Sequence, residues 1–248
     1  MAAIYILWLR EVRRQIRSKT QILGVLGKPL LYLFALGFGL SPIFARAGEG
    51  SYIQFLAPGL IGMTVLFSGL LSGMGLLWDR QFGFLQELLA APVRRSYIIL
   101  GRALGGASIA VFQGAILFAI ACAVGFRPAS PLAVLTGLLV VVLIAVTSCA
   151  LGAALGCRLR SMATFPIMMN LLIMPLFFLS GAFFPLDNLP APLKAITVSN
   201  PLSYAIDGLR SALIETSHFG LALDIGVLAV AGAVLLVLAG LSFSKVQL

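Results

Sequence analysis

Ser68, Ser72 and Ser180 are each followed by glycine, and Asp224 stands near the start of a long apolar run; these come nearest to a catalytic pattern in the chain. A serine nucleophile needs a base within hydrogen-bond reach. The single histidine, His218, lies outside the apolar runs that hold the serines. An intramembrane aspartyl centre needs two acids at span depth, and only Asp224 comes close. Ion-driven pumps carry buried carboxylates in mid-span, and the middle of this chain has none. No Gly-x-x-x-x-Gly-Lys-Ser/Thr loop is present to cradle a nucleotide phosphate. Cys122, Cys149 and Cys157 lack metal spacing and are odd in number, so they read as small core residues. With no catalytic centre and no ionic coupling in the sequence, any energy source is expected in another subunit.

Composition places these residues in a membrane. The chain has 248 residues, 60% hydrophobic and 10% charged, with a net charge of +9. Soluble domains carry about 25% charged residues. A chain of this size could not hide so much apolar surface from water. A soluble enzyme, a nucleic-acid module and a disordered chain are therefore excluded, and the reading is an all-α integral membrane protein, taken as one unit over 1–248.

Residues 2–18 repeat Tyr5, Trp8, Leu9, Val12 and Ile16 on one helical face, with Arg10, Glu11, Arg13, Arg14 and Arg17 between them. That pattern suits a helix lying in the membrane surface. Six stretches of about 20 residues follow at about 21–41, 55–77, 99–125, 131–156, 162–184 and 221–243. Asp224 in the last is placed where an acid reaches the interface, and Pro29, Pro58, Pro166 and Pro175 are expected to kink their spans. A cytoplasmic N-terminus puts Arg10, Arg13, Arg14, Arg17, Lys19, Arg80, Arg94, Arg95, Arg102, Arg158, Arg160 and Lys245 inside. Only Arg46, Arg127, Lys194 and Arg210 then fall outside, so both termini are predicted cytoplasmic.

Glycines four apart, Gly69/Gly73, Gly101/Gly105 and Gly152/Gly156, let helices approach closely, read first as packing within the chain and second as a subunit interface. Two segments are more than spans. In 78–97, Phe82, Leu85, Leu88 and Leu89 share one helical face and Pro92 ends it. Such a helix could rest on lipid or dock into a groove of a cytoplasmic partner. The outer segment 185–218 is too long for an idle loop. Asn200 and Pro201 make a helix start, Asp207 and Arg210 have pairing distance at i, i+3, and two short helices are expected to dip part-way into the outer leaflet or lie on the bundle ends.

Three stretches together resemble the permease subunit of ABC-2 type exporters, nearest to the daunorubicin-resistance kind. They are Phe55-Leu-Ala-Pro-Gly-Leu with Trp78-Asp-Arg-Gln-Phe-Gly-Phe-Leu-Gln-Glu-Leu-Leu-Ala-Ala-Pro-Val-Arg-Arg and Leu100-Gly-Arg-Ala-Leu-Gly-Gly, then Leu179-Ser-Gly-Ala-Phe-Phe-Pro-Leu, then Asn200-Pro-Leu-Ser-Tyr-Ala-Ile-Asp-Gly-Leu-Arg210. The resemblance implies six spans, an N-terminal elbow helix, a coupling helix at 79–92 and re-entrant outer helices carrying Asn200, Pro201, Tyr204, Asp207 and Arg210. It implies two copies of a cytoplasmic ATPase that bind ATP and magnesium, none being held by this chain, and a second permease as homodimer or close heterodimer. Contact with the ATPase falls to Arg80, Phe82, Leu85, Glu87, Leu88, Arg94 and Arg95. The family often has an acid after the coupling arginine, where this chain has Gln81. Met168, Met169, Met174, Phe177 and Phe178 are candidates for a substrate path, against the plainer reading as membrane core. The expected activity is export of a drug, lipid or lipid-linked glycan across a bacterial or archaeal plasma membrane, with membrane lipids but no nucleic acid as partners. A non-transporting scaffold bound to the same kind of ATPase is the rival.

Overall fold

The computed structural model describes residues 2–46, 51–84, 95–159, 161–184 and 190–244. Regular structure among them is all helical: α1 (Ala2–Arg17), α2 (Lys19–Arg46), α3 (Tyr52–Gln81), α4 (Arg95–Val124), α5 (Pro131–Arg158), α6 (Thr164–Phe178), α7 (Ala191–Ser199), α8 (Pro201–Ile214) and α9 (Leu221–Ser244). Five of these, α2, α3, α4, α5 and α9, are long and apolar enough to cross a membrane.

α3 is the central post. It packs on α2, α4, α5 and α8, and most of its length is buried. Its approach to α5 uses two of the glycine pairs. A Cβ on Gly73 would collide with the Gly152 backbone, and one on Gly156 would lie 2.5 Å from the Gly73 carbonyl oxygen. Gly69 faces Ser148 and the Ala145 carbonyl of α5 in the same way. The third pair receives a different element. Cβ atoms on Gly101 and Gly105 would lie 2.9 Å from Leu7 Cβ and 2.6 Å from Glu11 Cβ, so α1 is seated in a groove of α4. All three pairs are thus used within the chain, as close backbone approach between membrane helices requires.

α6 departs from expectation. The stretch 162–184 reads as a full span, yet only 164–178 is helical, about 22 Å at 1.5 Å per residue. Prolines 166 and 175 flank a π-turn at Met169–Ile173. Phe165, Met169, Ile173 and Phe177 are buried at four-residue steps. Such steps drift by about 40° each on an ordinary α-helix, and the wider π-turn keeps them on one face. After Phe178 the chain leaves helical geometry through Gly181, whose φ of 80° is left-handed.

Carbonyls of the last turn of α6 and of the stretch after it accept hydrogen bonds from side chains of 197–210 and of α3. Asn200 Nδ2 donates to Leu176 O (2.7 Å), Thr197 Oγ1 to Leu179 O (3.1 Å), Arg210 Nη2 to Gly181 O (3.1 Å) and Tyr52 Oη to Phe183 O (3.1 Å). Irregular backbone at membrane depth persists only where protein groups replace water in this way. α7 and α8 are therefore the brace of a broken helix.

Candidate functional site

The end of the bundle that carries α1 also carries most of the arginines. There α3 extends further than the sequence suggests. Trp78, Asp79, Arg80 and Gln81 belong to its last turn, and Phe82 and Gly83 (φ 77°) then turn the chain. The helix expected over 79–92 is corrected at its start only: Asp79, Arg80 and Gln81 belong to α3, and the turn at Phe82 and Gly83 ends that helix. The rest of the expected segment from Leu85 lies outside the described residues. Phe82 itself is 79% exposed and Arg80 is exposed. Leu85, Glu87, Leu88 and Arg94 lie outside the described residues, and Arg95 opens α4.

Asp79, only 6% exposed, is the hub of this end. Arg10 Nη2 donates to its Oδ1 (3.2 Å), Arg102 Nη1 donates to its Oδ2, and Arg14 Nη1 stands 4.0 Å from Oδ1. Arg14 also donates to Glu11 (2.5 Å), which accepts from Gln15 as well (3.0 Å). One carboxylate therefore binds arginines of α1 and α4 to the last turn of α3. The guanidinium of Arg10 also lies over the Phe84 ring, 3.8 Å from its centre. So α1 grips the first residues after the turn directly. Gly75 leaves the room for this, since a Cβ there would collide with the Arg14 guanidinium.

The hub is not legible in the sequence as a site. Its one signal is period: Leu7, Glu11 and Gln15, at i, i+4 and i+8, are the buried residues of α1. The apolar residues Tyr5, Ile6 and Ile16 instead point outward. Trp8 Nε1 donates to Ser108 Oγ of α4 (3.0 Å). The helix thus has a protein face and a separate apolar face.

At the opposite end, Asn200 caps α8 by accepting from Leu202 N (3.1 Å), with Pro201 at its first position. Asp207 accepts from the backbone N–H groups of His218 and Phe219 at 2.8–3.0 Å, closing the turn into α9. Arg210 is buried with its guanidinium 4.0 Å over the Phe55 ring. Tyr204 Oη donates to Val198 O (2.8 Å). Asp224 is fully buried within the protein against Gly208, and neither carboxylate oxygen has a hydrogen-bond partner among the described residues. Ser72 and Ser180 donate to helix carbonyls of Gly69 and Phe177, both at 2.6 Å. Among the described residues no cluster of His, Cys, Asp and Glu could hold a metal.

Of the residues considered for a substrate path, Met169 and Met174 line a cavity of about 350 Å³ between α2, α3 and α6. Phe177 packs in the core against Phe67, and Phe178 stacks on Phe183. Met168 is half-buried and does not line the cavity.

Known proteins share this arrangement of sequence. The family described as "ABC-2 type transporter" matches residues 2–214. Nodulation protein J of Rhizobium leguminosarum bv. trifolii is 31% identical over 212 residues, covering 85% of this chain and 78% of that protein. The putative transport permease ycf38 of Porphyra purpurea is 34% identical over 197 residues, covering 78% and 67% respectively. Its counterpart in Pyropia yezoensis is 35% identical over 200 residues, with the same two coverages. A match from α1 through the end of α8, with relatives at this identity, places the chain in the ABC-2 type transporter family as a multi-pass membrane permease.

Proposed function

We propose that the chain is the membrane subunit of an ATP-driven exporter that moves a hydrophobic or amphipathic molecule outward across the plasma membrane. A separate cytoplasmic ATPase, in two copies, supplies the energy, and a second permease completes the path as a homodimer or close heterodimer. The basic end is cytoplasmic in this reading, in keeping with the excess of Lys and Arg there. α1 is the elbow helix, its Tyr5, Ile6 and Ile16 face turned to lipid. α6 with the braced stretch 179–184 completes a sixth crossing.

The observation that carries the reading is the hub at Asp79. It sits one turn before the exposed Phe82 and ties α1, α3 and α4 together. A partner that grips the segment after Phe82 moves three helices at once, two of them long enough to span. This is the two-state element that an ATP-driven partner would bias. Phe82 is the anchor of choice, because buried aromatic side chains dominate protein contacts. Arg80, Leu85, Glu87, Leu88, Arg94 and Arg95 are the further contact residues that the resemblance implies.

The test is co-purification of the tagged chain in mild detergent from its own cells, followed by flux in proteoliposomes. The expected result is recovery of a Walker-motif ATPase whose ATP turnover drives export. Phe82→Ala should leave the helices folded and reduce ATP-driven flux at least tenfold. Normal export by this variant removes the docking role. Failure to recover an ATPase even after cross-linking removes the exporter reading.

A further inference from the structure

The cavity between α2, α3 and α6 is lined mostly by apolar side chains and by one charged residue, Lys28. Met63, Phe67, Met169 and Met174 are among its apolar lining, and Gln21, Lys28 and Asn170 are its polar lining residues. Its volume of about 350 Å³ lies within the range of small-molecule sites. On the same two helices, Leu23 and Leu31 of α2 and Ile167 and Leu171 of α6 present exposed apolar surface. Resting on the exporter reading, we infer that this cavity takes the anionic head of an amphiphile from the inner leaflet, with Lys28 as the counter-charge.

Lys28 is the observation that selects the class. It lies nine residues into α2, about 14 Å along the helix from Lys19. Among the described residues it has no hydrogen bond and no ion pair. An unpaired ammonium at that depth is costly and is met only where it faces a cavity, a partner charge or the interface. The described acids are elsewhere. Glu11 and Asp79 are held in the basic hub, and Asp207, Glu215 and Asp224 lie around the α8–α9 turn. A helical side chain leans toward the N-terminal end of its helix. From Lys28 that direction leads to Gln21, another residue of the same cavity. The ammonium therefore stands where an anionic head would lie while its acyl chain runs along the exposed apolar surface of α2 and α6. A cationic amphiphile would meet repulsion at the same place.

The binding test needs neither ATPase nor transport, so its failure is separate from failure of the exporter reading. The full-length protein in a neutral maltoside is titrated with lysophosphatidylglycerol and with lysophosphatidylcholine of equal chain length. Bound lipid is read by native mass spectrometry. The expected preference for the anionic lipid is about tenfold, the size that one partly screened charge pair supports. Lys28→Gln should bring the ratio to about one, and Lys28→Arg should retain it. Gly24, another lining residue, has open space where its Cβ would be. Gly24→Leu therefore tests occupancy without disturbing the fold, and should weaken both lipids together. Equal binding of the two lipids by the unaltered protein overturns the inference, as does a ratio unchanged in Lys28→Gln. Displacement of the lipid by inorganic phosphate at equal concentration overturns the amphiphile and leaves a plain anion site.

Discussion

Two buried acids show how little an acid's sequence position says about its state. Asp79 is surrounded by three arginines, whereas Asp224 is buried with no hydrogen-bond partner. Their responses to mutation should be opposite. Asp79→Asn leaves buried arginine charge uncompensated, a change that costs about 3–5 kcal/mol when one partner of a buried pair is lost. The thermal midpoint in detergent should fall, and Asp79→Asn combined with Arg102→Gln should recover part of the loss in a double-mutant cycle. Independent, additive effects would show that the hub is not a coupled unit. Asp224→Leu keeps the branching at Cγ and removes a buried polar group that has no partner. The midpoint should rise; a fall would show that the carboxylate is engaged.

At the scale of elements, the close crossings divide into one that holds the bundle and one that holds α1. Gly73 touches the α5 backbone itself, so no rotamer change can relieve a new side chain there. Gly73→Val should abolish the monodisperse folded species on gel filtration, while Gly24→Ala, at an open position, should not. Gly101→Ile acts on the α1–α4 groove alone. It should free α1 for proteolysis, with the long helices still protected. Protection of α1 that persists in this variant would mean that α1 is held by the Asp79 hub without the glycine groove. Asn200 and Thr197 act differently, by satisfying carbonyls where α6 ends. Their position in the chain, after a proline-rich loop, shows a helix start but not the broken helix that it braces.

For the whole molecule the question is which side each end faces. On the proposed six-crossing arrangement, Ser161 and Thr216 lie on opposite sides of the membrane. Cysteines placed singly at these positions, in a chain with Cys122, Cys149 and Cys157 replaced by alanine, should react with impermeant maleimide from opposite sides. Reaction of Ser161→Cys only from the cytoplasm and of Thr216→Cys only from outside supports the arrangement. Labelling of both from one side would make α6 a re-entrant element and leave five crossings.

Composition, the apolar runs and the basic residues between them are enough for the membrane class and the long helices, because hydrocarbon demands a long apolar helix locally, residue by residue. The family is legible only in the particular residues of the stretches from Phe55, Leu179 and Asn200. The glycine pairs announce close contacts for the same reason, but not their partners: Gly101 and Gly105 look like Gly69 and Gly73, yet one pair seats α1 and the other meets α5. The length of α6 is not readable from its apolar run. A proline or a π-turn is tolerated inside such a run only if other elements satisfy the freed carbonyls, and those elements, Tyr52 and 197–210, are distant in sequence. The hub at Asp79 joins positions 10, 14, 79 and 102. Charge pairing of that kind leaves no local periodicity; it exists only once α1 and α4 have packed against the end of α3, and only the tertiary structure decides it.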